Sequence, residues 1–153
     1  MDGIDIKILN ALYSNARTKN SALARELNMP ATTLQERIRR LEEKGIIKGY
    51  KVVADLEKLG LNIQAFLAVT LDNHESSNIR RFEKSIKDIS CIKACYHVSG
   101  RFDYLLHTQV QDLQKLGDLV KTGISSLPDF GRCETFIVFS EIDSNHELPL
   151  MDI

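Results

Sequence analysis

The stretch from Asn20 to Glu43 constrains the fold of this chain more than any other part of the sequence. It consists of two short amphipathic segments, joined by a corner that contains Asn28 and Pro30. Asn28 belongs to the few residue types that enter the left-handed region without much strain, and Pro30 prevents the preceding helix from continuing. The sequence therefore predicts a helix, a tight corner and a second helix.

The second of these helices, predicted over residues 30–44, has two different faces. Leu34, Ile38 and Leu41 follow one another at i, i+4 and i+7 and form one apolar stripe. The other side is polar and carries these side chains: Thr32, Thr33, Gln35, Glu36, Arg37, Arg39, Arg40 and Lys44. The pattern matches the helix-turn-helix unit, whose second helix lies in the major groove of DNA. A helical bundle whose charged face is only solvated has the same pattern, so this stretch alone leaves both interpretations open.

Composition and charge indicate two modules. A chain of 153 residues with 43% hydrophobic and 27% charged residues is typical of a globular protein with one large or two small cores. Residues 1–54 carry ten Lys or Arg and six Asp or Glu, whereas residues 55–153 carry ten and fifteen. A basic first third and an acidic remainder favour modules with different partners.

The sequence predicts a protein that stays in the cytoplasm and has no membrane partner. No apolar run has the length needed to span a bilayer, and the N-terminus MDGIDIKIL has acidic residues where a signal peptide is positively charged. The cysteines Cys91, Cys95 and Cys133 are odd in number and have no CxxC spacing. This pattern favours free thiols in a reducing compartment over disulfides or a metal site.

Hydrophobic periodicity predicts the remaining elements of the N-terminal module. A first helix begins with a capping-box-like sequence at Asp2 and ends at about Ser14. Asn20 is the expected cap of the second helix, and Gly45 ends the third. Residues 46–54 are rich in β-branched side chains and predict a wing or hinge strand that reaches DNA or pairs with another subunit.

Beyond residue 62 the sequence alternates between strand-like and helix-like segments. In chain order these are β at Gln64–Leu71, α at Ser76–Asp88, β at Cys91–Val98, β at Phe102–Val110, α at Asp112–Leu127 and β at Arg132–Ile142. The order predicts an α+β fold, in which an N-terminal three-helix winged helix-turn-helix is followed by a βαββαβ ferredoxin-like (ACT-like) sandwich. Helices cover one face of such a sheet, and an open apolar face favours a dimer.

Four stretches, IDIKILNAL, RIRRLEEKGIIKGY, VSGRFDYLL and TFIV, resemble the leucine-responsive/asparagine-synthesis regulator family, Lrp/AsnC. The resemblance covers nearly the whole chain. It implies a dimeric, nucleoid-associated transcription factor that often assembles to tetramers or octamers and binds a free amino acid between subunits. It also implies three domains: a DNA-binding domain at residues 1–49, a hinge at 50–61 and an effector-binding and oligomerisation domain at 62–153.

The resemblance implies the residues of an amino-acid effector site. Backbone amides of residues 100–102 would hold the effector carboxylate, Asp103 would accept from its ammonium, and Thr135 would supply a hydroxyl contact. The implied set is Ser99, Gly100, Arg101, Phe102, Asp103, Tyr104, Cys133 and Thr135. Without the family, Gly100 also fits a hairpin turn with no ligand and Asp103 a turn cap. No other cofactor is expected.

Two positions depart from the family pattern. Ala31 follows Pro30 where the family often has Ser followed by Pro, so the usual hydroxyl cap of the third helix is missing. Cys133 stands where the family often has Thr or Ser. The second departure bears on the identity of the effector.

The leading hypothesis is sequence-selective binding of double-stranded DNA by a symmetric dimer. Thr32, Thr33 and Glu36 are expected nearest to base edges, and the basic residues Arg37, Arg39, Arg40 and Lys44 are expected mostly on phosphates. A tetrapyrrole (sirohaem-type) decarboxylase of similar architecture is one alternative, with His97 and His107 as candidate ligands. Neither histidine has a partner motif, so no catalytic residue and no metal ligand is assigned. A small-molecule-sensing module without DNA contacts is the other alternative.

Overall fold

The structure is a computed structural model that describes residues 1–142. The described residues form two compact units, residues 1–53 and residues 54–141, each with its own hydrophobic core. The predicted C-terminal domain extends to residue 153, and its residues 143–153 lie outside the described ones. Within residues 1–142, no helix is both long and apolar enough to cross a membrane.

The first unit is built from helices: α1 (Gly3–Ser14), α2 (Asn20–Glu26) and α3 (Ala31–Glu43). The predicted capping box of α1 is confirmed, because the Asp2 carboxylate accepts from the amide of Asp5 and the Asp5 carboxylate accepts from the amide of Asp2. The prediction that Asn20 caps α2 is wrong. Lys19 occupies the N-cap position without a side-chain hydrogen bond, and Asn20 is already helical.

The corner before α3 and the stop after it follow the predicted chemistry. Asn28 has a φ of +52°, in the left-handed region that this residue type tolerates. Pro30 is the N-cap of α3 and supplies no side-chain hydrogen bond, consistent with the missing hydroxyl. Gly45, at a φ of +67°, ends the helix, and the amide of Ile46 closes the turn on the carbonyl of Leu41.

The predicted strand at residues 46–54 is absent. Residues 45–62 contain no β-strand, and Val52 and Val53 are 92% and 98% exposed. A strand needs a neighbour for its backbone hydrogen bonds, and this segment has none within the described part of the chain. Its β-branched side chains favour a strand, but a single copy of the chain supplies no strand to pair with it among the described residues.

The second unit contains a sheet and helices, in the order β1 (Ile63–Leu71), α4 (Ser76–Lys87), β2 (Ile92–His97), β3 (Tyr104–Val110), α5 (Leu113–Asp118) and β4 (Phe130–Ile137). The strands pair antiparallel in the order β2-β3-β1-β4. The predicted α+β class is thereby confirmed. One face of the sheet packs against α4 and α5 through a core that includes Leu67, Val69, Phe82 and Leu116.

The predicted helix at Asp112–Leu127 is not one regular helix. After α5 the chain continues as a π-helical segment, Leu119–Ile124. The wider turn keeps Leu119 and Ile124, which are five residues apart, both buried in the core. Leu113, at the first position of α5 directly after its cap, is 59% exposed.

Candidate nucleic-acid interface and effector turn

The helix α3 is fixed to its unit by one side only. Leu34, Ile38 and Leu41 lie in the core of the first unit, and Leu34 has no exposed surface. The predicted DNA-contacting side chains lie on the remaining surface: Thr32, Thr33, Gln35, Arg39, Arg40 and Lys44 are exposed, and Glu36 and Arg37 are half-buried. The burial of the stripe therefore determines which polar side chains a ligand can reach.

Two arginines of this surface share one carboxylate. Glu36 Oε1 accepts from Arg39 Nη2 at 2.8 Å and from Arg40 Nε at 3.0 Å. Arg39 also pairs with Glu43. Hydrogen bonds from Arg39, and then from Arg40, lower the pKa of Glu36 to about 2, so its carboxylate is ionised throughout the physiological range. The cationic side chains are thus partly neutralised in the unbound chain.

Arg37 has a different environment from the other two arginines. Its Nη1 donates to Asp2 Oδ2 at 2.8 Å and to Asp5 Oδ1 at 2.7 Å, the carboxylates that form the capping box of α1. Hydrogen bonds to Asp2 and Asp5 raise the pKa of Arg37. The guanidinium therefore joins α3 to the start of α1. No local sequence pattern indicates a contact between residues 32 and 35 positions apart.

An open depression of about 570 Å³ lies beside α3 within the first unit. Thr32, Thr33, Arg40 and Lys44 line it together with Asp2. Hydroxyl groups that can contact base edges thus lie next to cationic groups that can contact phosphates. The structure brings together two kinds of side chain that the sequence predicted for this surface.

The turn between β2 and β3 carries most of the predicted effector residues. Ser99, Gly100 and Arg101 are exposed, and Phe102 and Asp103 are half-buried. Gly100 has a φ of +140°, which a side chain rarely adopts, although a Cβ there would meet no atom within 4 Å. Backbone conformation, rather than lack of space, therefore requires glycine at this position.

Asp103 already has partners for both carboxylate oxygens. Its Oδ2 accepts from the amide of Leu71 at 2.8 Å, and its Oδ1 lies 2.9 Å from His74 Nε2. Burial raises the pKa of Asp103, but the hydrogen bonds from Leu71 and His74 outweigh it, and the net shift is downward. His74 was missed from the sequence because it lies 29 positions away. An effector ammonium at Asp103 would share this carboxylate with His74.

Tyr104 does not lie on the surface of the turn with the other predicted residues. Its side chain is buried in the core of the second unit, and its hydroxyl donates to Glu83 Oε1 at 3.0 Å. The ring packs against Phe82 and His97 at centroid distances of 4.7 and 4.8 Å. Burial, followed by the hydrogen bond to Glu83, raises the pKa of Tyr104. Its alternation with Leu106 on β3 was the available sequence signal for this burial.

The remaining predicted residues lie beside the sheet. Arg101 stacks over Phe102 at 4.6 Å and reaches Glu134 of β4 at 3.4 Å. Cys133 is half-buried, and burial raises the pKa of its thiol. Thr135 is exposed on β4, paired in register with Leu67 of β1. The turn and β4 thus approach each other through Arg101 and Glu134.

Comparisons with known proteins agree with both units. The family model of the Lrp/AsnC ligand binding domain matches residues 64–148, and that of a winged helix-turn-helix DNA-binding domain matches residues 1–48. The chain is 33% identical to a leucine-responsive regulatory protein of Haemophilus influenzae, across 98% of this chain and 90% of that protein. It is 31% identical to a proline dehydrogenase transcriptional activator of Rhizobium radiobacter, across 93% and 91%.

Solved structures give the same result. A transcriptional regulator from Neisseria meningitidis in complex with L-Met superposes with a TM-score of 0.92 at 26% identity, over 97% of this chain and 96% of that one. LrpC of B. subtilis gives a TM-score of 0.83 at 30% identity, over 95% and 99%. These relatives are transcriptional regulators, so the decarboxylase alternative is set aside. The chain belongs to the Lrp/AsnC family of transcriptional regulators.

Proposed function

We propose that this regulator binds double-stranded DNA through α3 and that an amino acid bound at the turn 99–103 alters that binding. The observation that carries the proposal is the two-sided environment of α3. Leu34, Ile38 and Leu41 anchor one side in the core, and the polar side stays accessible. A helix held in this way, after a tight corner, is what insertion into a major groove requires.

The side chains of α3 divide into two roles. Thr32, Thr33 and Glu36 contact base edges and provide sequence preference, whereas Arg39, Arg40 and Lys44 contact phosphates. Arg37 also belongs to the phosphate-contacting set, and its pairing with Asp2 and Asp5 orients α3 on α1. In the bound state, phosphates replace Glu36 as the partner of Arg39 and Arg40.

The effector of this proposal is a free amino acid. Amides of the turn hold its carboxylate, and Asp103 accepts from its ammonium while His74 remains a second partner of the same carboxylate. Thr135 and Cys133 on β4 and Arg101 and Phe102 in the turn surround the effector side chain. Support comes from the match to a ligand binding domain and from the relative solved with L-Met.

The proposal includes self-association as a dimer, with tetramers or octamers built from it. The sheet domain has a ferredoxin-like (ACT-like) βαββαβ layout, whose helix-free face carries apolar side chains that include Phe66, Leu105 and Phe136. The exposed Val52 and Val53 lie in the hinge of residues 50–61, where a second copy of the chain supplies the strand partner that this segment lacks alone. A two-fold dimer reads a roughly palindromic site. Such a regulator works in the cytoplasm, on the nucleoid.

The test is binding of the full chain to its own upstream promoter DNA, measured by fluorescence anisotropy at several salt concentrations. We expect Arg40→Gln to weaken binding to all sequences and to reduce the salt slope by about 1. Arg17→Gln is the matched control, because Arg17 is exposed in the loop between α1 and α2. If the two variants bind alike, α3 is not the DNA-binding helix.

The effector role has a separate test with a panel of amino acids. We expect Asp103→Ala to abolish the effect of the active amino acid on promoter binding, while binding without effector stays at the wild-type level. Loss of both properties would assign Asp103 a structural role. An unchanged response would place the effector elsewhere.

A further inference from the structure

We propose that the outer face of α4 is a second DNA-binding surface, which contacts the phosphate backbone without reading base sequence. The inference rests on the proposed function, since it requires that this chain binds DNA. The α4 face is defined by its basic side chains: Arg80, Arg81, Lys84 and Lys87. All of them are exposed, and within residues 1–142 none has a carboxylate oxygen within 4.0 Å of its cationic group.

The packing of α4 fixes the orientation of this face. Phe82 and Ile86 are buried against the sheet, so the opposite side of the helix is held toward solvent. Arg80, Lys84 and Lys87 follow one another at i, i+4 and i+7 and therefore lie on one side of the helix. At 1.5 Å per residue they form a row about 10 Å long.

The acidic residues of this region do not neutralise the row. Glu83 is the one carboxylate within α4, and it turns inward to accept from the hydroxyl of Tyr104 at 3.0 Å. Glu75 and Asp88 occupy the two caps, and neither forms an ion pair with the α4 face. The contrast with α3 is clear, because Arg39 and Arg40 there are both paired with Glu36.

The chemistry of the face favours a polyanion over a protein partner. The exposed positions of α4 are the four cations and two serines: Ser76, Ser77, Arg80, Arg81, Lys84 and Lys87. A stable protein interface needs aromatic or aliphatic anchors in its centre, and this face has none among its exposed residues. DNA carries a negative charge about every 1.7 Å along its axis. When such a row of cations neutralises phosphates, condensed counterions are released into solution, and this release favours binding.

The test compares two double variants of the full chain in binding to the promoter fragment. We expect Lys84→Gln/Lys87→Gln to reduce the slope of log affinity against log salt by about 1.8. Between 50 and 200 mM salt, the wild type would then lose about 12-fold more affinity than this variant. Lys115→Gln/Lys121→Gln removes the same charge from exposed sites elsewhere in the second unit and is expected to have a smaller effect.

Further arms of the experiment separate the possible outcomes. Loss of a phosphate contact weakens binding to the promoter fragment and to a scrambled fragment by the same factor. Lys84→Arg/Lys87→Arg keeps both charges and is expected to retain the wild-type slope. Equal slopes for the wild type and both Gln variants would overturn the inference. It would also be overturned if Lys84→Gln/Lys87→Gln changed the mass of the assembly but left DNA binding unchanged, because that result indicates a protein contact. A wild type that binds no DNA would instead refute the proposed function.

Discussion

Replacement of Glu36 by Gln tests whether the ion pairs on α3 compete with DNA. The carboxylate of Glu36 accepts from both Arg39 and Arg40, at 2.8 and 3.0 Å. The Gln side chain keeps the shape but removes the charge, so both guanidiniums become available to phosphates. Because both arginines already contact phosphates in the proposed complex, the slope of log affinity against log salt stays near the wild-type value. Affinity for scrambled DNA rises, because no carboxylate has to be displaced first.

The same substitution has the opposite effect on sequence preference. If Glu36 accepts a hydrogen bond from a base edge, its loss removes about 1–3 kcal/mol of discrimination. The ratio of promoter to scrambled affinity would then fall by about 5- to 150-fold. Glu36→Gln is therefore expected to bind DNA more tightly in general and less selectively.

The assay is anisotropy titration of promoter and scrambled fragments across a salt series. Glu43→Gln is the matched control, because within residues 1–142 Glu43 pairs with Arg39 but not with Arg40, and we expect a smaller rise in affinity for scrambled DNA. Since the pKa of Glu36 is about 2, the wild type should show no change from this carboxylate between pH 5 and pH 8. Unchanged affinity for scrambled DNA would refute the competition.

Three further predictions concern stability. Leu34→Ala should destabilise the first unit by about 3–5 kcal/mol, because Leu34 is fully buried, and thermal denaturation should show an early transition with loss of DNA binding while the second core stays folded. Because the pKa of Asp103 is lowered in the folded state, its ionised carboxylate stabilises the fold above about pH 4, and this contribution is lost as the pH falls through the folded pKa. In urea unfolding, Asp103→Asn should therefore reduce the fall in the free energy of unfolding at acid pH. Gly131→Ala should cost about 1–3 kcal/mol in the same assay, because its Cβ would lie 2.7 Å from Asp72 Oδ1, whereas Gly117→Ala, with no atom within 4 Å, should not destabilise.

Periodicity predicted the elements whose stability is local. The stripe of Leu34, Ile38 and Leu41 gave α3 to within one residue at each end, because a helix of this length is fixed by its own hydrogen bonds and one apolar face. The capping box at Asp2 and the stop at Gly45 are equally local, since each is completed within five residues. Such features depend on residue type and spacing, which the sequence contains in full.

Partnerships between distant residues were not predictable in this way. Arg37 meets Asp2 and Asp5 only after α3 packs on α1, and His74 meets Asp103 only after β1 pairs with β3. For residues 46–54 the sequence predicted an element that the structure does not contain. These residues favour a strand, but a strand forms only where a second strand pairs with its backbone. The burial of Tyr104 was predictable from its alternation with Leu106 on β3. The family resemblance instead placed Tyr104 among the effector-binding residues of the turn.

The distribution of paired and unpaired cations has a consequence for how this regulator finds its site. On α3, Arg39 and Arg40 are held by Glu36, so a phosphate must displace a carboxylate before it gains their charge. In the proposed complex, this competition weakens sequence-independent binding by α3 and leaves selectivity to contacts with base edges. On α4 the cations have no such competitor within the described residues, so the attraction to DNA that we propose for this face does not depend on sequence. Loss of the α4 cations should therefore slow association at low salt, whereas loss of Glu36 should reduce the discrimination between sites.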